Sequence, residues 1–201
     1  ARIGVDDLIA TATSAIREAP NGEQVLARAE QEAGIKLQVL SGEDEARITM
    51  LAVRRWLGWS AGEILLFDIG GGSFEIAQGA DEYPDVSLSL PLGAGRSTIN
   101  FLSEDPPSRE AVSKLRAHAR EVFTEARKTM FRGRPAPTRV VGTSKTIRSL
   151  GRLIGGPPNP VTGELAPLHY TGLREWEPTL REMPGSVREY LPGITPERGY
   201  Q

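Results

Sequence analysis

The chain has 201 residues, which is enough for one globular domain or two small ones. Its formal net charge of -2 argues against a nucleic-acid coat protein and against a polybasic membrane-surface protein. It has no cysteine, which excludes disulfides and thiolate metal sites and fits a reducing compartment. No apolar run approaches the roughly 20 residues of a membrane-spanning helix. We therefore expect a cytoplasmic protein that binds neither nucleic acid nor membrane.

The first 60 residues alternate between strand and helix patterns. Residues 8–13 are apolar and threonine-rich, which predicts a strand that leads into a turn or short helix over 13–17. Helices are predicted over 24–33 and 41–56, and alternation of apolar and polar residues predicts a strand over 35–39. An apolar face of the last helix comprises Ile48, Leu51, Ala52 and Trp56.

A glycine-containing stretch at 58–62 interrupts these patterns and is the candidate boundary between two lobes. Beyond it, a nearly continuous apolar run predicts a buried strand over 63–69, and the strongest helical periodicity falls on 108–130. The other predicted elements are strands over 74–78, 86–90 and 139–141, helices over 145–154 and 173–183, and a loop over 155–167 rich in proline and glycine.

This order of elements predicts an α/β fold with a mixed sheet, because three strands are followed by a helix, a strand and a helix. It matches one lobe of the actin-like, ribonuclease H-like fold of sugar kinases and Hsp70, in which two lobes face each other across a cleft. Residues 1–60 would be the end of a first lobe, and residues 61–201 a second lobe that is incomplete at its C-terminus. The sequence begins with Ala1 and soon enters an apolar stretch, so we expect a piece of a longer chain.

The segment from Asp68 to Ser73 joins two predicted strands. Its glycines, Gly70, Gly71 and Gly72, permit positive φ angles and let backbone N–H groups approach an anion closely. Ser73 adds a hydroxyl donor, and Asp68 at a strand end suits a divalent metal such as Mg²⁺. The motif therefore favours a bound phosphate with its magnesium, although a tight turn without a ligand would also use glycines. It is not a Walker loop, because neither a Gly-Lys-Ser/Thr sequence nor a helix follows.

Five segments of the chain, in the same order and spacing, resemble motifs of the exopolyphosphatase/guanosine pentaphosphate phosphohydrolase family. The central segment, Asp68 to Glu75, reads DIGGGSFE, and the family pattern is D-I-G-G-G-S-x-E. The other four are ATSAIR at 12–17, SGEDEAR at 41–47, SLPLGAGR at 89–96 and GTSKT at 142–146. Single matches of this length are common by chance, whereas five in register are not. The resemblance looks closest to actinobacterial members and fades near the C-terminus.

The resemblance implies a magnesium-dependent hydrolase that removes terminal phosphates from inorganic polyphosphate; some members also remove the 5′ phosphate of pppGpp. By resemblance, Asp68 holds the metal and Gly70 to Ser73 bind phosphate. Arg17 contacts phosphate, which suits a forked guanidinium donor, and Glu75 positions water or metal. Such side chains supply the positioning and charge neutralisation that phosphoryl transfer needs. We also expect the full-length protein to be a homodimer.

The acidic residues at the start of the predicted helix over 41–56 have two interpretations. Ser41 with Asp44 fits a capping box, and acids in a first turn favour the helix dipole. By resemblance, one of these carboxylates is the general base that activates the attacking water. The position that matches the family's catalytic glutamate is Asp44, whose side chain is one methylene shorter. We expect Asp44 to be the base, with Glu45 as the second choice.

Gly142, Thr143 and Ser144 end a predicted strand and open a helix. Ser144 suits the N-cap position, and the N–H groups of such a turn suit an anion. This segment is therefore predicted either to bind phosphate or only to cap the helix.

The residues leave two other functions open. One is an actin-like ATP-dependent kinase of a small metabolite, against which the acidic helix start weighs. The other is a non-catalytic polyphosphate or alarmone sensor, which Asp44 in place of glutamate favours. The D-x-G-x-N-S loop of the family's first lobe is not found in the sequence. We therefore expect the 201-residue chain alone to hydrolyse polyphosphate very slowly or not at all.

Overall fold

The computed structural model describes residues 8–163 and 166–199. The predicted lobes 1–60 and 61–201 and the predicted loop over 155–167 also include residues outside those ranges. The strands are β1 (Ala10–Ala12), β2 (Leu37–Val39), β3 (Ile64–Ile69), β4 (Phe74–Gly79), β5 (Val86–Leu90) and β6 (Arg139–Thr143). The helices are α1 (Ser14–Arg17), α2 (Gly22–Ala33), α3 (Gly42–Leu57), α4 (Ala94–Phe101), α5 (Arg109–Met130), α6 (Ser144–Gly155), α7 (Tyr170–Glu182), α8 (Gly185–Arg188) and α9 (Pro196–Gly199), with a 3-10 turn at Trp59–Ala61.

The main sheet has the strand order β5-β4-β3-β6 and is mixed, as the sequence predicts. β3 pairs with β4 in antiparallel fashion across the glycine hairpin, and β4 pairs with β5 in the same way. β6 runs parallel to β3, since α5 carries the chain back before β6 begins. The carboxyl ends of β3 and β6 therefore lie side by side at one edge of the sheet.

Alternate residues of β3 face opposite helices, as the period of a strand requires. Ile64 and Leu66 pack with Ala46, Met50 and Val53 of α3. Leu65 packs with Ala126 and Met130 of α5 in a second cluster on the other face. The long helix predicted over 108–130 is confirmed as α5, and the hydroxyl of Ser108 accepts a hydrogen bond from the N–H of Ala111 at its start.

The face of α3 that contacts the sheet is not the apolar face expected from the sequence. Ala46 and Met50 are fully buried, whereas Ile48 is 52% exposed and Trp56 is 84% exposed. The helix carries two apolar stripes, and the sheet contacts the one formed by Ala46, Met50 and Val53. A Cβ added at Gly42 would lie 2.2 Å from Cβ of Ser89, so the first turn of α3 approaches β5 more closely than a larger residue would allow.

Residues 8–57 form a smaller unit in which β1 and β2 pair in parallel and α1 and α2 connect them. Because α3 packs on the main sheet, this unit shares a core with the residues that follow. A lobe boundary near residue 60 stays a prediction. The structure also contains α4, a helix that the sequence does not predict. No helix in the described ranges is long and apolar enough to cross a membrane.

Candidate functional site

Four polar side chains form a row across the four strands of the main sheet. Ser89 is paired in register with Glu75, Glu75 with Asp68, and Asp68 with Thr143. Cross-strand partners point to the same face of a sheet, so these side chains lie side by side. The hydroxyl of Ser89 donates to Oε1 of Glu75 at 2.9 Å, and the hydroxyl of Thr143 donates to Oδ2 of Asp68 at 2.6 Å. The row begins where the apolar core beneath α3 ends.

Glu45 joins this row from the first turn of α3. Burial raises the pKa of Glu45, and the negative charge of Asp68 adds to the rise. Burial likewise raises the pKa of Glu75, to which the charges of Glu45 and Asp68 also contribute. Hydrogen bonds from Ser73 and Ser89 lower the pKa of Glu75, but burial has the larger effect. Three carboxylates therefore converge at one end of the sheet, where the negative charge of Asp68 makes Glu45 and Glu75 harder to ionise.

Arg17, at the end of α1, forms an ion pair with Glu45. Its Nη1 donates to the backbone oxygen of Leu40 at 2.6 Å and lies 3.6 Å from Oε2 of Glu45. The second distance is that of an ion pair and too long for a hydrogen bond. The cation lowers the pKa of Glu45, but burial has the larger effect. Arg17 is thus held by the backbone with its charge directed toward the carboxylates.

The glycine loop is braced by its own backbone and by the segment that follows β5. The N–H of Gly70 donates to the oxygen of Ser73 at 3.0 Å, which closes the hairpin. The oxygens of Gly70 and Gly71 accept from the N–H groups at the start of α4, each at 2.9 Å. A Cβ at Gly93 would lie 2.3 Å from the carbonyl carbon of Gly72, so only glycine allows this contact.

These contacts divide the predicted phosphate donors into two groups. The N–H of Gly70 donates to the oxygen of Ser73 inside the hairpin, and phosphate binding by Gly70 stays a prediction. Within the described residues, no protein group accepts a hydrogen bond from the N–H of Gly71, Gly72 or Ser73. Phosphate binding by those three amides stays a prediction, for which unpaired N–H groups are suited.

Asp44 lies at the edge of the site, in the cap of α3. Its N–H donates to Oγ of Ser41 at 3.0 Å, and its carboxylate accepts from that hydroxyl at 2.7 Å and from Arg47 at 3.3 Å. Its side chain is 49% exposed, against 25% for Glu45. The capping interpretation therefore accounts for the contacts of Asp44, and Glu45 is the acid that faces Asp68 and Glu75. Which of the two is the base stays a prediction.

The strand-to-helix turn at Gly142, Thr143 and Ser144 lies next to Asp68 through Thr143. Ser144 has a φ angle of 78°, and its hydroxyl accepts from the N–H of Ile147 at 3.3 Å. Its predicted capping role is confirmed by that bond. A Cβ at Gly142 would lie 2.7 Å from Cγ2 of Ile147, which explains the glycine by packing. Phosphate binding by these three residues stays a prediction.

The carboxylates fit a hard cation such as Mg²⁺, which prefers oxygen ligands. One oxygen of Asp68 is outside its bond to Thr143, and Oε2 of Glu45 is buried without a hydrogen bond from any described residue. No group of three or more His, Asp or Glu residues within the described ranges is arranged as a complete metal site. Magnesium commonly uses one or two carboxylates together with substrate phosphates, and Asp68 suits that mode.

Ser89 and Gly93 are residues of the site for which the sequence predicts no separate role. Ser89 donates to Glu75, and Gly93 contacts the glycine loop. The alternation of Val86, Ser87, Leu88, Ser89 and Leu90 was a signal for a polar strand face. It did not reveal which acidic residue that face would meet, because register is set by the sheet.

The chain is similar to known proteins over nearly its whole length. The model of the Ppx/GppA phosphatase family matches residues 1–201. Exopolyphosphatase 1 of Mycobacterium leprae is 48% identical over 200 residues, and that of Mycobacterium tuberculosis is 46% identical over 199 residues. Each match covers 98% of this chain but 58% of the relative, so the chain spans little more than half the length of these relatives.

A solved structure shows the same fold. The Ppx/GppA family member of Aquifex aeolicus is 29% identical, with a TM-score of 0.76 over 96% of this chain and 61% of that chain. Together with the mixed sheet, this confirms the predicted fold class, an α/β lobe of the actin-like type. The chain belongs to the Ppx/GppA phosphatase family.

Proposed function

We propose that the chain forms one side of a site that hydrolyses terminal phosphoanhydride bonds of inorganic polyphosphate. The observation that carries the proposal is the convergence, at one end of the sheet, of the free amides of residues 71–73 with the carboxylates of Glu45, Asp68 and Glu75. Unbonded amides suit an anion, and a group of carboxylates beside them suits water and a cation. The names of the mycobacterial relatives support hydrolysis over kinase activity.

In this proposal each group has a separate task. The amides of Gly71 to Ser73 and the guanidinium of Arg17 bind oxygens of the terminal phosphate. Glu45 accepts a proton from a water molecule, for which its raised pKa makes it a better base. The water oxygen forms a bond to the terminal phosphorus, and the bond from that phosphorus to the bridging oxygen breaks. Orthophosphate and a chain shorter by one phosphate are released.

Asp68 is the proposed ligand of Mg²⁺, which would neutralise charge on the phosphate oxygens. Thr143 keeps the Asp68 carboxylate in place through its hydroxyl bond of 2.6 Å. Glu75 stays beside it as a buried acid, held by Ser89, and positions water or metal. Activity toward pppGpp belongs to the same proposal, since the resemblance to the family implies it. A cytoplasmic location, for which the absence of cysteine speaks, and a homodimer of the full-length protein are proposed with it.

The proposal is tested by measuring orthophosphate release by the complete gene product that contains this chain. Polyphosphate of defined length and pppGpp are supplied separately, with and without Mg²⁺, to the wild type and to Asp68→Asn. We expect release from polyphosphate that requires Mg²⁺ and falls at least about 100-fold in Asp68→Asn. Binding of polyphosphate without release would favour a sensor, and transfer of phosphate from ATP to an acceptor would favour a kinase. Either result would overturn the proposal.

A further inference from the structure

Two arginines beside the glycine loop share one carboxylate, that of Glu18. Arg17 Nη2 lies 3.6 Å from Oε1 of Glu18. Arg96 Nη2 forms an ion pair with Oε2 of the same residue. Each oxygen of Glu18 thus has its own guanidinium partner, and all three side chains are partly exposed.

Arg96 is part of the loop's immediate surroundings. Its N–H donates to the oxygen of Gly71 at 2.9 Å. A Cβ at Gly72 would lie 4.0 Å from Arg96 Nη2, so the guanidinium is next to the loop whose amides have no protein acceptor among the described residues. Arg17 is on the side of α3, 3.6 Å from Oε2 of Glu45. The two guanidinium groups and the carboxylate of Glu18 therefore lie between the glycine loop and the start of α3.

A carboxylate between two guanidinium groups occupies a site that also suits a phosphate, because both anions offer paired oxygens to forked donors. We propose that Arg96 is a second phosphate-binding arginine, and that Glu18 is an internal competitor which a substrate phosphate must displace from Arg17 and Arg96. This inference rests on the proposed function, since it names further residues of the same site.

Glu18 would lower the affinity of the site for some phosphate ligands more than for others. Displacing Glu18 costs its two ion pairs, and an anion with several adjacent phosphates recovers more attraction from the loop and both arginines than a single phosphate does. With Glu18 present, the site would therefore bind a chain of phosphates in preference to the orthophosphate product. A different role is to orient Arg96, in which case loss of the Glu18 charge would weaken binding of every phosphate.

The test is the affinity of the 201-residue chain for inorganic tripolyphosphate and for orthophosphate, measured by NMR titration at one fixed ionic strength. The variants are Glu18→Gln, Arg96→Gln and the double variant, and thermal denaturation checks that each is folded. Glu23→Gln is the matched control, because it removes the same charge from an exposed position nearby in the chain. It reports the general effect of net charge on anion binding.

We expect Glu18→Gln to tighten binding of tripolyphosphate by about threefold to tenfold, Glu23→Gln to change it by less than about 1.5-fold, and Arg96→Gln to weaken it. The gain from Glu18→Gln should shrink when Arg96 is absent. The preference for tripolyphosphate over orthophosphate should narrow in Glu18→Gln. Weaker or unchanged binding by Glu18→Gln, an equal gain in Glu23→Gln, or an undiminished gain without Arg96 would each overturn the inference.

The same titrations distinguish failure of the proposed function from failure of the internal competitor. If the wild type binds tripolyphosphate and Glu18→Gln binds no better, only the internal competitor is refuted. Binding by Glu18→Gln where the wild type shows none supports the competitor in its strongest form. If neither protein binds tripolyphosphate, the phosphate site and the competitor are both refuted.

Discussion

Glu45 and Asp44 are adjacent in the chain but have different surroundings, which makes them a matched pair. We expect Glu45→Gln to lower phosphate release by the complete gene product by about 100-fold or more, because an amide cannot accept the proton of the attacking water. We expect Asp44→Asn to change the rate by less than about threefold, because Asp44 is occupied in the helix cap. Initial rates at saturating polyphosphate decide between them.

Asp44→Glu is the complementary variant, since it restores the residue type that the family pattern has at this position. With Glu45 as the base, this change should bring no large gain in rate. A gain above about tenfold, or a larger loss in Asp44→Asn than in Glu45→Gln, would return the role of base to position 44.

The buried acid Glu75 makes stability depend on pH. Its pKa is raised above the ordinary 4.5 by burial, so the folded chain keeps this proton to a higher pH than the unfolded chain does. Between those two pKa values the folded state binds more protons, and its stability falls as pH rises. Below the unfolded value the two states are equally protonated and the loss is absent.

We expect Glu75→Gln to flatten this dependence, because an amide does not titrate. The free energy of unfolding, measured with urea from about pH 4.5 to about pH 7.5, should fall less steeply in the variant than in the wild type. The comparison uses slopes, since the amide also changes the hydrogen bond from Ser89 at every pH. Equal slopes in the two proteins would show that Glu75 does not contribute to the pH dependence of stability.

At the scale of elements, the glycine hairpin between β3 and β4 depends on the turn before α4. Gly71 has no other atom within 4 Å of an added Cβ, whereas a Cβ at Gly93 would overlap the backbone of Gly72 and Ser73. We expect Gly93→Ala to cost about 2 kcal/mol or more and Gly71→Ala less than about 0.5 kcal/mol, by urea denaturation. Gly93→Ala should also weaken tripolyphosphate binding, because it displaces the loop. Equal stability of the two variants would contradict this contact.

Ser144, at the start of α6, has a strained backbone conformation and a hydroxyl that accepts a hydrogen bond from the helix. Ser144 has a positive φ, which costs a non-glycine residue about 1–2 kcal/mol, and its side chain caps the N–H of Ile147. Ser144→Ala loses the cap and keeps the strain, so we expect it to cost about 1 kcal/mol. Ser144→Gly relieves the strain and loses only a few tenths as a cap, so it should be neutral or stabilising. Urea midpoints that rank the variants in the opposite order would exclude this account.

For the whole molecule, Arg54 connects α3 to one end of the β3–β4 pair, the end where β3 begins and β4 stops. It is 1% exposed, and its Nη2 donates to the oxygen of Gly62 at 2.7 Å and of Gly79 at 3.0 Å. We expect Arg54→Ala to cost about 2–4 kcal/mol, since it leaves a cavity and removes a donor from one buried and one part-buried backbone oxygen. Arg55→Ala is the control: its neighbouring side chain is 67% exposed and its pair with Glu82 is worth under about 1 kcal/mol. A similar small effect in both variants would refute the role of Arg54.

Most of the elements follow from the sequence, because the period of apolar residues and the turn residues are local properties. The apolar run of β3, the glycine hairpin and the long periodicity of α5 each identify an element without knowledge of its neighbours. The resemblance of five short segments also identifies the family, since their order and spacing are readable along the chain. α4 was missed because its first turn depends on backbone bonds to Gly70 and Gly71, which are not local.

The choice among candidate residues depended on tertiary structure. Only the register of four strands brings Ser89, Glu75, Asp68 and Thr143 into one row, and only the packing of α3 on the sheet turns Glu45 rather than Asp44 toward that row. Sequence by itself determined that a glycine-rich segment and an acidic segment exist, because residue type is a local fact. Their arrangement was decided by contacts between residues far apart in the chain, where packing and pairing select one face of each element.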